Sequence, residues 1–160
     1  MPDLMTHLLL PYGLGRLTGR PQRRPSAWLA LFCLGAVLPD LLNRAPGIAL
    51  PSGLVAAITM PFHTPAGIIV TCLALAFVFP EAFRRQALGA LLCGAGLHLL
   101  LDAFQRSLDA GSYYWLFPFS WSKGQIGLFW PDETLLALPF LAAFCLLAEA
   151  VAQRRWARRP

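Results

Sequence analysis

The stretch ALGALLCGAGLHLLLDAF, Ala87 to Phe104, decides how the chain is read. It holds no Lys, Arg or Glu, and its only ionisable groups besides a thiol are His98 and Asp102 near its end. At 1.5 Å rise per residue it is close to the ~20 apolar residues that a membrane-spanning helix needs. Three further segments share this character: Ala27 to Leu42, Pro65 to Phe79 and Leu135 to Val151. The chain of 160 residues is 57% hydrophobic and only 13% charged, more apolar surface than one soluble core can hide. These observations predict an all-α fold: a polytopic membrane helix bundle of about four spans. Leu4 to Leu17 is too short for a full span and lacks the basic start of a secretory signal, so it adds a short or re-entrant N-terminal helix.

No repeat or low-complexity segment divides the chain, so residues 1–160 are expected to form one integral-membrane domain. Breaks fall at Arg16 to Pro25, Asn43 to Phe62, Pro80 to Gln86 and the aromatic-rich Ser107 to Glu133. Cys33, Cys72, Cys93 and Cys145 lie in four different apolar segments with no C-x-x-C pair, and read as buried free thiols.

The net charge of +5 raises the question of nucleic acid. The arginines cluster at the ends of apolar segments, where anionic lipid and membrane topology account for them, so no nucleic-acid partner is expected. Arg16, Arg20, Arg23 and Arg24 precede the second segment, Arg84 and Arg85 separate the third from the fourth, and Arg154, Arg155, Arg158 and Arg159 follow the last. Only Arg44, Arg106 and Lys123 occupy the alternate loops. Because basic residues near span ends are retained inside, this asymmetry predicts a multi-pass protein with a cytoplasmic C-terminus.

On that map Asp40, His63, His98, Asp102 and Asp132 all fall toward the non-cytoplasmic face, and His7 joins them if the first helix runs inward toward Arg16. His98 and Asp102, four apart on one helix, point the same way. Ionisable groups inside a membrane are costly unless paired or metal-bound, so the pair suits a divalent ion or a hydrogen bond joining helices. His7 reads as a ligand or an interfacial polar residue, with Asp3 orienting it or capping its helix. Asp40 closes an apolar segment where the helix dipole disfavours a bare negative charge, a site for a nearby cation or a headgroup-level acid. His63 is bracketed by Pro61 and Pro65, which fix the backbone around it. Tyr113 to Trp121 reads as an interfacial aromatic belt or as a lid over a site. Ser120 has no nucleophile-elbow context, so no Ser-His-Asp triad is expected.

The order Thr6-His7, Pro39-Asp40, His63, Gly94 to Asp102 with its His-x-x-x-Asp, then Phe117-Pro118-Phe119-Ser120 resembles the membrane-bound metal-dependent hydrolase family. Its members are described as LexA-binding, inner-membrane-associated hydrolases. The resemblance runs from about Leu4 to about Asp132 and implies a prokaryotic inner-membrane protein whose metal site is carried by His7, Asp40, His63, His98 and Asp102. It also hints at a regulatory protein partner. One departure is Ile58, where the family usually has a histidine in the middle loop.

Together these readings predict a divalent ion, zinc or manganese, held by His7, Asp40, His63, His98 and Asp102, with Asp40 or Asp102 free to act as general base. A metal of this kind supplies Lewis acidity for hydrolysis near neutral pH. The position at headgroup level, with membrane lipid as neighbour, suggests a phosphoester or lipid-like substrate. The alternative is a non-enzymatic structural or regulatory membrane protein whose His and Asp residues join helices. Transport of metal or protons ranks last, because the inner halves of the segments offer mainly Leu, Ala, Val and Cys.

Overall fold

The computed structural model describes residues 4–19, 25–44, 58–106 and 113–158, and in them the chain is almost entirely helical. Helix α1 is Leu4–Thr18, α2 is Ala27–Arg44, and a 3-10 turn at Met60–His63 leads into α3, Pro65–Ala76. Helix α4 is Glu81–Phe104 and α5 is Pro131–Ala157. Between these two, β1 (Tyr113–Tyr114) pairs antiparallel with β2 (Lys123–Gly124). Asp3, Arg20, Arg23, Arg24 and Arg159 lie outside the described residues, as do residues 45–57 of the expected loop between Asn43 and Phe62.

The all-α expectation holds, but the span count is corrected. Among the described residues, α4 and α5 are the two helices long and apolar enough to cross a membrane. The other two predicted spans are shorter apolar helices. Of these α3 has only 12 residues, about 18 Å of helix against a hydrocarbon core of ~30 Å.

The expected turn from Pro80 to Gln86 is also corrected. The reversal is confined to Phe77–Pro80, and Pro80 is the N-cap of α4. Glu81, Arg84 and Arg85 ended the apolar run without ending the helix, because these residues have good helix propensity and Glu81 complements the N-terminal dipole.

One face of α4 organises the core. Ala87, Ala90, Leu91, Gly94, Ala95, His98, Leu99 and Asp102 recur at intervals of three and four residues, and all are buried. This face meets α2, where Leu29, Phe32, Cys33 and Leu38 supply the opposing bulk. Small residues let the two helices approach backbone to backbone. A Cβ on Gly94 would strike the Phe32 carbonyl and stand 2.7 Å from the Ala36 nitrogen, and one on Gly35 would strike the Leu91 carbonyl.

Helix α1 lies between α2 and α5. Gly13 gives way to the Phe144 ring, Gly15 to Leu29, and the Cys145 thiol donates to the Leu9 carbonyl at 3.0 Å. Arg16, expected as a headgroup or topology residue, is instead buried. Its Nε and a terminal nitrogen donate to both oxygens of Glu149 at 2.6 and 2.8 Å, and the Tyr12 hydroxyl adds a 3.0 Å bond. A planar guanidinium suits this two-pronged contact. Contacts 9 to 145, 16 to 149 and 17 to 155 make α1 and α5 parallel.

Of the cysteines expected to be buried, Cys33, Cys72 and Cys145 are, whereas Cys93 is exposed. It occupies the α4 surface opposite the packed face.

Candidate metal centre

The packed face of α4 ends in His98 and Asp102, so the helix contact that builds the core also delivers these two groups to one end of it. Gly94 lies one turn before His98, and the close approach it permits brings the Ala36 carbonyl of α2 to 2.8 Å from His98 Nδ1. A carbonyl oxygen only accepts, so Nδ1 carries the proton, and in the neutral ring the lone pair sits on Nε2. Metal-ligating histidines are held in this way through their other nitrogen.

His63 arrives from a differently built support. Thr64 caps α3: its hydroxyl accepts from the Gly67 amide at 3.1 Å and donates to the Pro61 carbonyl at 2.7 Å. Gly67 has no Cβ to collide with that carbonyl, and Pro65 occupies the first turn of the helix. Thr59 ties the same turn to the end of α2 through a 2.6 Å bond to Asn43 Oδ1. The prolines around His63 thus belong to a turn braced on both sides.

The resulting geometry is compact. His63 Nε2 lies 3.1 Å from His98 Nε2 and 3.1 Å from Asp102 Oδ2, and His98 Nε2 lies 3.3 Å from the same oxygen. His7 enters from α1, with its ring centroid 4.2 Å from that of His98 and its Nε2 3.3 Å from Asp102 Oδ1. Asp40 stands further out, with Oδ1 3.9 Å from His63 Nε2. His7, Asp40, His98 and Asp102 are about 99–100% buried. The five residues expected to form a site are therefore brought together from α1, α2, α4 and the 3-10 turn. Asp132 is not among them; it lies in the first turn of α5, where a carboxylate complements the helix dipole.

The donor set fits a divalent ion. Tetrahedral zinc with N and O ligands at about 2.0–2.1 Å places neighbouring donors about 3.3 Å apart, the spacing of the triangle His63 Nε2, His98 Nε2 and Asp102 Oδ2. His7, His98 and Asp102 form one group with ligand atoms within 4.8 Å of each other, and Asp40, His63 and His98 form a second. Neither ring nitrogen of His7 has a hydrogen-bond partner among the described residues, nor does Asp102 Oδ1; their 3.3 Å approach lacks hydrogen-bonding alignment. Leaving buried polar atoms unpaired costs about 1–3 kcal/mol each, a cost that a shared cation removes.

One polar group, Gln105, escaped the sequence reading, whereas Thr6 is part of the Thr6-His7 motif. Thr6 Oγ1, beside His7, and Gln105 Nε2, three residues after Asp102, are buried atoms without a partner among the described residues. An amide one residue beyond an apolar helix gives no periodic signal, and only burial distinguishes it. Ile58, at the position where the resembled family usually carries histidine, is exposed on the surface.

The hairpin end of the chain closes over the α4 terminus. Ile126 and Leu128 amides donate to the Ala103 and Phe104 carbonyls at 2.7 and 2.6 Å, satisfying helix-end acceptors immediately after Asp102. At the other end of α4, fourteen positions before His98, stands Arg84, about 21 Å away along the axis.

No curated protein and no solved structure matches the chain. A family model does, over residues 1–159, and its description specifies an inner membrane protein without naming a reaction. With two membrane-capable helices and a match over nearly its whole length, the chain belongs to the YdjM inner membrane protein family.

Proposed function

We propose that the chain is a membrane-embedded metal-dependent hydrolase whose ion, zinc or manganese, is held by His63, His98 and Asp102, with His7 completing the set. The observation that carries this reading is the triangle of donor atoms at 3.1–3.3 Å, with His98 locked by the Ala36 carbonyl so that Nε2 faces inward. Bound there, a divalent ion supplies Lewis acidity that activates water and polarises a substrate oxygen. Asp40, 3.9 Å from His63 Nε2 and outside the tight triangle, is placed to take a proton as general base. Beside it Leu38, Pro39, Phe62, Ile68, Thr71 and Ala95, from α2, the 3-10 turn, α3 and α4, pack without room for a water molecule. A cluster carried by an inner membrane protein favours a phosphoester or other lipid-like substrate whose headgroup meets it. The proposal includes a site on the non-cytoplasmic side and a cytoplasmic C-terminus; the arginines at the opposite end of α4 and α5 support that orientation.

A second reading has one observation in its favour. If His63 Nε2 carries a proton, it donates to Asp102 at 3.1 Å, and the cluster is a hydrogen-bonded joint between helices. Metal content separates the two. Elemental mass spectrometry of detergent-purified protein is expected to find about one or two equivalents of zinc or manganese, and little in the His98→Ala, Asp102→Ala double variant. No metal in either, after reconstitution with both ions, makes the cluster a structural joint.

A further inference from the structure

The segment between α4 and α5 presents an apolar ridge that neither the core nor the metal centre uses. Trp115 turns inward, packs against the core and donates from Nε1 to the Gly124 carbonyl at 2.8 Å. The residues after it turn outward: Phe119 is 94% exposed, Trp121 64% and Leu116 61%. The ridge is braced, because the Trp121 ring meets Tyr114 and Phe117 edge-on at centroid distances of 5.6 and 5.3 Å. It is also fixed in depth. The 2.6–2.7 Å bonds from Ile126 and Leu128 to the last carbonyls of α4, and from the Arg106 amide to the Phe129 carbonyl, bolt the hairpin to the end of that helix.

Two features identify what covers it. Along the chain the ridge continues through Trp130 into Leu135, Leu136 and Phe140, the exposed apolar face of α5, which is itself long and apolar enough to cross a membrane. Flanking it are two cations, Lys123 with its amine 5.2 Å from the Tyr114 ring and Arg106 with its guanidinium 5.6 Å from the Trp130 ring. Aromatic residues beside basic ones match the boundary between acyl chains and phosphates, where ring bodies are buried and cations meet phosphate oxygens.

We propose that residues 114–130 form a wedge seated in the lipid leaflet at the α4 C-terminal end, with Phe119 and Trp121 below the phosphates and Lys123 and Arg106 among them. The wedge holds the His and Asp cluster at phosphate depth, because Asp102 immediately precedes the carbonyls to which the hairpin is bonded. This proposal does not depend on a metal.

The test uses the full chain, with Cys93→Ser to remove the exposed thiol, reconstituted in phosphatidylcholine–phosphatidylglycerol vesicles. A bimane label is placed at Phe119→Cys, at Leu116→Cys as an independent site on the ridge, and at Arg158→Cys as a reference near the end of α5. On the ridge the label is expected to emit at shorter wavelength than at Arg158→Cys and to be quenched severalfold less by aqueous iodide. A nitroxide high on the acyl chain should quench it more than one near the bilayer centre. Iodide quenching equal to the reference, without nitroxide quenching, overturns the proposal and leaves the ridge to a protein partner or a cover over the site. Strongest quenching from the bilayer centre overturns it too, because the segment then lies within the hydrocarbon rather than at its edge.

Discussion

Gly94→Ala is expected to damage both the helix packing and the metal centre, while Gly96→Ala, two residues away on the same helix, is expected to do neither. A methyl group on Gly94 would stand 2.7 Å from the Ala36 nitrogen and closer still to the Phe32 carbonyl. Ordinary contact begins near 3.5 Å, so α2 must retreat by about 1 Å. Overpacking of this kind costs about 1–3 kcal/mol. The retreat also stretches the 2.8 Å bond from His98 Nδ1 to the Ala36 carbonyl, and a buried ring nitrogen left without its partner costs about 1–3 kcal/mol more. Against this stands a gain of about 1 kcal/mol from replacing glycine inside a helix. The net loss is about 1–5 kcal/mol, centred on ~3 kcal/mol. A Cβ on Gly96 meets nothing within 4 Å, so that variant keeps only the gain. At roughly 2–4 °C per kcal/mol for a chain of this size, the two variants should differ in melting temperature by about 10 °C. Thermal unfolding in detergent, followed by circular dichroism, measures this, and zinc content of the same samples reports the centre. A Gly94→Ala protein that melts at or above wild type, with zinc retained, refutes the account of how α2 and α4 build the site.

Arg16→Ala leaves the Glu149 carboxylate, one-third exposed, without its two-pronged partner, and should destabilise the protein by about 2 kcal/mol in detergent unfolding. Arg16→Met combined with Glu149→Leu should recover most of that loss; no recovery would mean that the arginine contributes by some route other than the pair. Thiol labelling in detergent with N-ethylmaleimide should leave Cys33, Cys72 and Cys145 unmodified in the folded state and modify all four cysteines after denaturation. Rapid modification of Cys33, Cys72 or Cys145 before unfolding would contradict the packing of α2, α3 or α5.

The apolar segments were legible because hydropathy needs no partner: all five helices lie where the runs of Leu, Ala and Val lie. The gathering of His63, His98 and Asp102 at one end was legible because loop charges set the direction of each segment and helical rise then sets depth. Other features were hidden for specific reasons. Arg16 was counted with the headgroup arginines, since nothing near it in sequence marks Glu149, 133 positions away, as its partner. The first turns of α4 were mistaken for a loop because charge ends an apolar run without ending a helix. Of the expected spans α3 falls clearly short, ending at Ala76 after 12 residues, and length is what a membrane tests. The bond from His98 to Ala36 joins a side chain to a backbone carbonyl, and every residue has such a carbonyl, so no residue type announces it.

The parallel seating of α1 against α5 bears on how the protein is made. Synthesis delivers α1 first and α5 last, yet the Arg16 to Glu149 clamp and the bond from the Cys145 thiol to the Leu9 carbonyl are contacts between them. His7 rides on α1, so it gains this anchor only after Glu149 has left the ribosome and entered the bilayer. A nascent chain can present His63, His98 and Asp102 earlier, but the anchored cluster waits for α5. The full cluster therefore gains its α1 anchor only after α5 has been made.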